Sequence, residues 1–150
     1  MRTLHTIGYQ LATTQTLVLA LKQARIQTLV DVRAVASSRR PGFAKTSLSA
    51  NLEEAGIGYL HLRGLGTPAE GRVAARAGRH ADLKRIYAAH IRTHEARDDL
   101  MTLAGIVESG RRVCLLCLEA NPEHCHRTLV AEALATIVPV RIRHLSPAPG

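Results

Sequence analysis

The sequence predicts an α/β fold: a single domain with a mainly parallel central sheet flanked by helices. Three observations predict it. Short apolar runs alternate with stretches of helical periodicity, beginning with Leu4–Tyr9, Thr14–Arg25 and Thr28–Val32. That order suits parallel strands joined by right-handed crossovers. The run Val113-Cys114-Leu115-Leu116-Cys117-Leu118 is apolar at every position, as a central strand covered on both faces must be. The chain has 150 residues, 46% of them hydrophobic, the usual size of one domain with a full core. Together these describe a Rossmann-like three-layer domain over residues 1–145, with residues 146–150 a frayed tail.

The elements follow in order. Leu4–Tyr9 reads as a strand closing on Gly8. Thr14–Arg25 carries Leu17, Leu19, Ala20 and Ala24 at helical spacing. Thr28–Val32 is a second strand, expected to pair with the first. Residues 34–46 form a polar loop. Leu48, Leu52 and Ala55 mark a short helix that Gly56 caps. Tyr59–Leu62 is a third strand. Residues 63–80 hold Gly64, Gly66, Pro68, Gly71 and Gly78 among four arginines, and read as a mobile loop or partial helix near the site. Helices near Ala81–Thr93 and Glu95–Ser109 follow, with Gly110 as a stop. After the strand at 112–118, Asn121-Pro122 suits a helix start, Asn as N-cap and Pro in the first turn. Leu129, Val130, Ala133, Leu134 and Ile137 are its apolar face. Val138–His144 is the last strand.

Composition narrows the function classes. The formal charge is +8, from 20 basic and 12 acidic residues. Such a balance permits a polyanion or a phosphorylated ligand as partner. An Arg- and Ala-rich composition also follows from a GC-rich genome, so charge alone leaves nucleic-acid binding open. Three cysteines and a start without a signal-peptide pattern point to reduced thiols in a cytoplasmic protein. No apolar run approaches the roughly 18 residues of a membrane span. The oligomeric state is not encoded in any pattern of the sequence.

In open parallel sheets ligands bind beyond the carboxyl ends of the strands. Gly8-Tyr9, Asp31-Val32-Arg33 and Glu119 occupy such ends, and Glu119 leads into Cys125-His126-Arg127. Asp31 and Glu119 are candidate catalytic carboxylates, and His126 a candidate acid or base. Arg33, Arg39 and Arg127 are candidate anion holders. Ser38, within the string Ser38-Arg39-Arg40-Pro41-Gly42-Phe43, belongs to a candidate anion-binding flap. Tyr9 and Phe43 are candidates to stack on a base or ring. Each has a structural alternative. Arg33 can neutralise Asp31, Arg127 can pair with Glu119 or Asp31, and His126 can simply pack.

The cysteines read mainly as packing. Cys114 and Cys117 lie three apart on a strand and so face opposite sides. Cys125 precedes Leu129 by four and is expected to face the core. Cys117, His124, Cys125 and His126 offer metal-ligand types, but adjacent residues at a helix start are expected to diverge and no standard spacing is matched. A phosphatase-type loop needs an arginine at the far end of the cradle after Cys125, and position 131 is Ala. No metal and no cofactor is predicted.

These strings, together with Thr6-Ile7-Gly8-Tyr9, Gly58-Tyr59-x-His61-Leu62, Leu65-Gly66 and Leu116-Cys117-x-Glu119, resemble the domain of unknown function 488 family. The motifs stand in the family's order over nearly the whole chain. The resemblance implies a small, soluble, mostly prokaryotic α/β protein whose marked segments form one site. It supplies no reaction. One departure is Ala36, where similar sequences usually carry Pro, which bears on the rigidity of the 38–43 loop.

The functional expectation is an enzyme acting on a nucleotide or nucleic acid, by hydrolysis of a glycosidic or phosphoester bond. Arg33, Arg39 and Arg127 would hold the anion, and Asp31 or Glu119 would activate water with help from His126. The alternative is a non-catalytic module that binds nucleic acid or a phosphorylated ligand.

Overall fold

The structure is a computed structural model and describes residues 1–149. In chain order the elements are β1 (Arg2–Gly8), α1 (Thr14–Gln23), β2 (Thr28–Asp31), α2 (Lys45–Glu54), β3 (Gly58–His61), α3 (Ala69–Arg76), α4 (His80–His90), α5 (His94–Glu108), β4 (Val113–Cys117), α6 (His126–Ala135) and β5 (Val140–Leu145). Two 3-10 turns lie at Arg63–Leu65 and Pro122–His124. Residues 146–149 have no helix or strand, and the last residue of the expected tail, Gly150, lies outside the described residues.

The five strands form one sheet in the order β3-β2-β4-β1-β5, every pair parallel. Strand alternation divides the core in two. Leu4, Val30, Val32, Val113, Leu115 and Cys117 face α4, α5 and α6. Ile7, Leu29, Cys114 and Leu116 face α1 and α2. The result is a three-layer α/β domain. Cys114 and Cys117 lie in different halves of the core, as their spacing on a strand requires.

One expected pairing is corrected. β1 and β2 are not neighbours, because β4 lies between them and pairs with both. The reason is apolar coverage. All five residues of β4 are buried, so both of its faces need helices, which only an interior position supplies.

The segment read as loop or partial helix is in part helical, and one helix boundary is corrected. Residues 69–76 of the glycine-rich segment form α3. Gly71 sits inside it because a Cβ there would lie 2.3 Å from Thr67 Cγ2. Gly78, with φ +74°, ends the turn. Asn121 caps only the short 3-10 turn, accepting a bond from the Glu123 N–H at 2.9 Å. The helix proper starts at His126, after Cys125 in extended conformation.

The start of α1 is a reciprocal cap. Thr13 Oγ1 accepts the Thr16 N–H at 3.1 Å, and Thr16 Oγ1 accepts the Thr13 N–H at 2.9 Å. Thr13→Ala frees one helix-end donor and one hydroxyl contact. The expected loss is about 1 kcal/mol, read as a lower urea midpoint with an unchanged slope.

Candidate functional site at the carboxyl edge of the sheet

The ends of β1, β2 and β4 open onto one cleft of about 200 Å³. Tyr9, Arg33, Glu119 and His126 line it, as expected from their place at strand and helix ends. Asp31, Ser38, Arg39, Phe43 and Arg127 do not. The hydrogen bonds show why.

Asp31 is fully buried and its carboxylate is saturated. Oδ1 accepts the Arg33 backbone N–H at 3.1 Å and Nε–H at 2.9 Å; Oδ2 accepts Arg33 Nη2 at 2.7 Å and the Tyr59 hydroxyl at 2.6 Å. A carboxylate with four donors and no exposure has no lone pair for a water. Its work is to aim Arg33. Burial alone would lower the Arg33 pKa, but the bond and charge of Asp31 outweigh it and hold the guanidinium above its ordinary value. Burial and the bond to Asp31 likewise push the Tyr59 phenol up.

Arg33 spends most of its remaining donors within the fold. Nη1 donates to the Tyr9 hydroxyl at 3.2 Å and to the Phe43 carbonyl at 2.8 Å. Its guanidinium lies 5.3 Å from the Tyr9 ring centroid. Tyr9 and Phe43 stack on each other, centroids 4.6 Å apart and planes 13° from parallel. Phe43 is buried by that stack, which removes it as a platform for a ligand. Ser38 accepts the Arg40 N–H at 3.1 Å, and Arg39 is exposed. Arg40 is the residue that fastens this loop. It donates to the Tyr9 carbonyl at 2.6 Å and to the carbonyls of Gln10 and Ala12, and lies 5.1 Å from the Phe43 ring centroid.

Arg127 is fully buried. Nε donates to Thr6 Oγ1 at 3.1 Å, and the two Nη groups donate to the carbonyls of Glu119 and Ala120. Arg127 therefore positions the loop after β4 and holds no ligand. Gly8 makes that docking possible, since only a residue without a side chain admits the Glu119 carbonyl.

Glu119 is half-buried at the cleft wall. Burial, then the nearby Cys125 sulfur, push its carboxyl up to about 7. Beneath it, Cys117, Cys125 and His126 place one ligand-type atom each within 4.8 Å of one another. Their convergence departs from the expected divergence at a helix start. Cys125 is extended, with φ −128° and ψ 142°, and stands just before the helix that His126 begins. Its thiol is buried in the core, as expected. Burial opposes ionisation of Cys125, but hydrogen bonds from Cys117 and His126 and the charges of His126 and Arg127 draw its pKa down. The bond to Cys125 and burial push the Cys117 thiol up. Burial opposes protonation of His126, yet Cys125 raises its pKa.

The sequence reading missed Arg72 and Arg76, which line the cleft from α3. They lie four apart and so share a helix face. That spacing was visible, but it gains meaning only once Pro68 and Gly78 are read as the bounds of a helix. Arg72 Nη1 donates to the Thr67 carbonyl at 2.9 Å and keeps its other donors. Arg76 is exposed. His124, also on the wall, stacks on His80 at 4.1 Å.

Among the described residues, no helix is long and apolar enough to cross a membrane. No curated protein and no solved structure matches the chain. Residues 13–134 match the family described as "Domain of unknown function DUF488", a span that contains α1 through α6 but for the last residue of α6. The chain therefore belongs to the DUF488 family.

Proposed function

We propose that the protein is an enzyme that hydrolyses a glycosidic or phosphoester bond in a nucleotide or nucleic acid. The observation that carries this reading is the composition of the cleft. A carboxyl group, Glu119, shares it with Arg72 and Arg76, which have donors to spare. Arginine forks suit phosphate oxygens, and a carboxylate beside them can take a proton from an attacking water. A cleft of about 200 Å³ is smaller than the roughly 300–1,000 Å³ that encloses a whole drug-sized ligand. It fits the reacting sugar or phosphate of a larger substrate, whose remainder lies outside.

The roles shift accordingly from the sequence expectation. Arg72 and Arg76 replace Arg39 and Arg127 as the anion holders. Glu119, rather than the saturated Asp31, activates water. His126 has Nε2 on the Val32 carbonyl at 2.6 Å and Nδ1 facing Cys117 Sγ at 3.4 Å, so it supports the site from below.

The test is turnover of nucleotides and of damaged or modified DNA by purified protein. Glu119→Gln is expected to lower kcat by about 10²–10⁴-fold and to leave KM near its original value. Arg72→Ala with Arg76→Ala is expected to raise KM. Full turnover in Glu119→Gln would remove the assigned base. Salt-sensitive binding of the same substrates without turnover would instead make the protein a non-catalytic binding module.

A further inference from the structure

We propose that Cys117, Cys125 and His126 bind a zinc-class divalent ion at the floor of the cleft, with a fourth position open toward Glu119. The three side chains come from the end of β4 and the start of α6 and converge to within 4.8 Å. One edge can be compared with a tetrahedron. With Zn–S of about 2.3 Å and Zn–N of about 2.0 Å, an S···N edge is about 3.5 Å. Cys117 Sγ and His126 Nδ1 stand 3.4 Å apart.

A second observation concerns the imidazole. His126 Nε2 lies 2.6 Å from the Val32 carbonyl oxygen. A carbonyl only accepts, so Nε2 carries a proton. Nδ1 then faces the sulfurs, 3.4 Å from Cys117 Sγ, and offers an ion its lone pair once its own proton has left. An imidazole held by its outer N–H on a backbone carbonyl, with the other nitrogen free, is the usual support for a metal-ligating histidine. Cys125 occupies the N-cap position of α6, yet its thiol makes no capping bond and instead interacts with Cys117 and His126.

Charge and softness give the chemical class. Two thiolates in a buried pocket need two positive charges nearby. A dication supplies both, and two sulfurs with one imidazole favour zinc over hard oxygen-seeking ions. Binding is balanced by the loss of two protons, one from Cys117 and one held between Cys125 and His126. Cys117 and His126 line the cleft, whereas Cys125 lines a second pocket that shares Leu83 and His124 with it. In this arrangement the remaining vertex faces the cleft, the side on which two of the three ligands lie. Glu119 Oε2, 3.8 Å from Cys117 Sγ, stands beside it. Three protein ligands and one solvent position is the pattern of a reactive zinc site, while structural sites close all four.

The inference is independent of the hydrolase reading, and its experiment does not depend on turnover. Metal-free, reduced full-length protein is titrated with Co²⁺ as the optical probe. The expected result is a tetrahedral cobalt spectrum with a thiolate charge-transfer band. It saturates at one ion per chain, releases two protons and is displaced by Zn²⁺. Cys117→Ser with Cys125→Ser is expected to abolish the charge-transfer band, and Glu119→Gln to retain one ion per chain.

Folded wild-type protein with free thiols and no cobalt spectrum would overturn the site, whatever the variants do. A charge-transfer band surviving in the double variant would overturn the assigned ligands. Loss of the ion in Glu119→Gln would overturn the open position. A loaded protein without turnover refutes the hydrolase reading alone; turnover by protein that takes up no cobalt refutes this one alone.

Discussion

Asp31→Asn is expected to destabilise the protein by about 3–5 kcal/mol, the usual cost of breaking a buried ion pair from one side. The amide keeps the shape but loses the charge that Arg33 faces. Each carboxylate oxygen accepts one guanidinium N–H and one further donor, and the oxygen that becomes an amide nitrogen can accept neither of its two. Arg33 would then remain buried as an uncompensated cation. At about 2–4 °C per kcal/mol for a domain of this size, the melting temperature falls by on the order of 10 °C. Thermal and urea unfolding measure it. The result also separates two roles. A catalytic base in the cleft would lose turnover on the same change with little effect on stability. A melting temperature within a degree or so of wild type would show that Asp31 is not the clamp described above.

The second large effect is expected at Gly8. A Cβ built there lies 1.8 Å from the Glu119 carbonyl oxygen and 2.6 Å from its carbon. The obstacle is backbone, so no rotamer change relieves it. Arg127 Nη1, at 2.9 Å, closes off the third direction. Gly8→Ala must push β1 away from the loop after β4 or displace that loop. Overpacking of this kind costs about 1–3 kcal/mol, occasionally more, and the backbone clash puts Gly8→Ala at the upper end. The displaced loop carries Glu119. Turnover is therefore expected to fall as in Glu119→Gln, even at temperatures where the variant remains folded. A folded Gly8→Ala protein with wild-type stability and activity would refute this account of the docking.

The two variants show which parts of the molecule the sequence made legible. Strand parity was readable, because alternation is a local rule: it placed Cys114 and Cys117 on opposite faces. The continuous apolar run of β4 correctly indicated an interior strand. The topological rule for parallel sheets brought Tyr9, Arg33, Glu119 and His126 to one cleft. It failed for Asp31 and Arg127, since proximity to a cleft does not tell whether a side chain faces ligand or neighbour. Arg127 has three partners in the fold, two of them backbone carbonyls, and no pattern of residue types announces those. The convergence of Cys117, Cys125 and His126 is a contact between the end of β4 and the start of α6 that no spacing rule announces. A helix read as starting at Asn121 sends these side chains apart. α3 was obscured by Gly71, a helix-interior glycine retained for lack of space, which composition reads as a breaker.

The interior position of β4 also has a consequence for how the chain is made. During synthesis β1, β2 and β3 leave the ribosome well before residues 113–117. β2 and β3 can pair at once, but β1 finds neither of its partners, β4 and β5, until late. The first strand made must wait for the last two. Nascent chains halted before β4 would hold two unjoined pieces with open strand edges, the state in which a growing polypeptide most needs shielding from its neighbours.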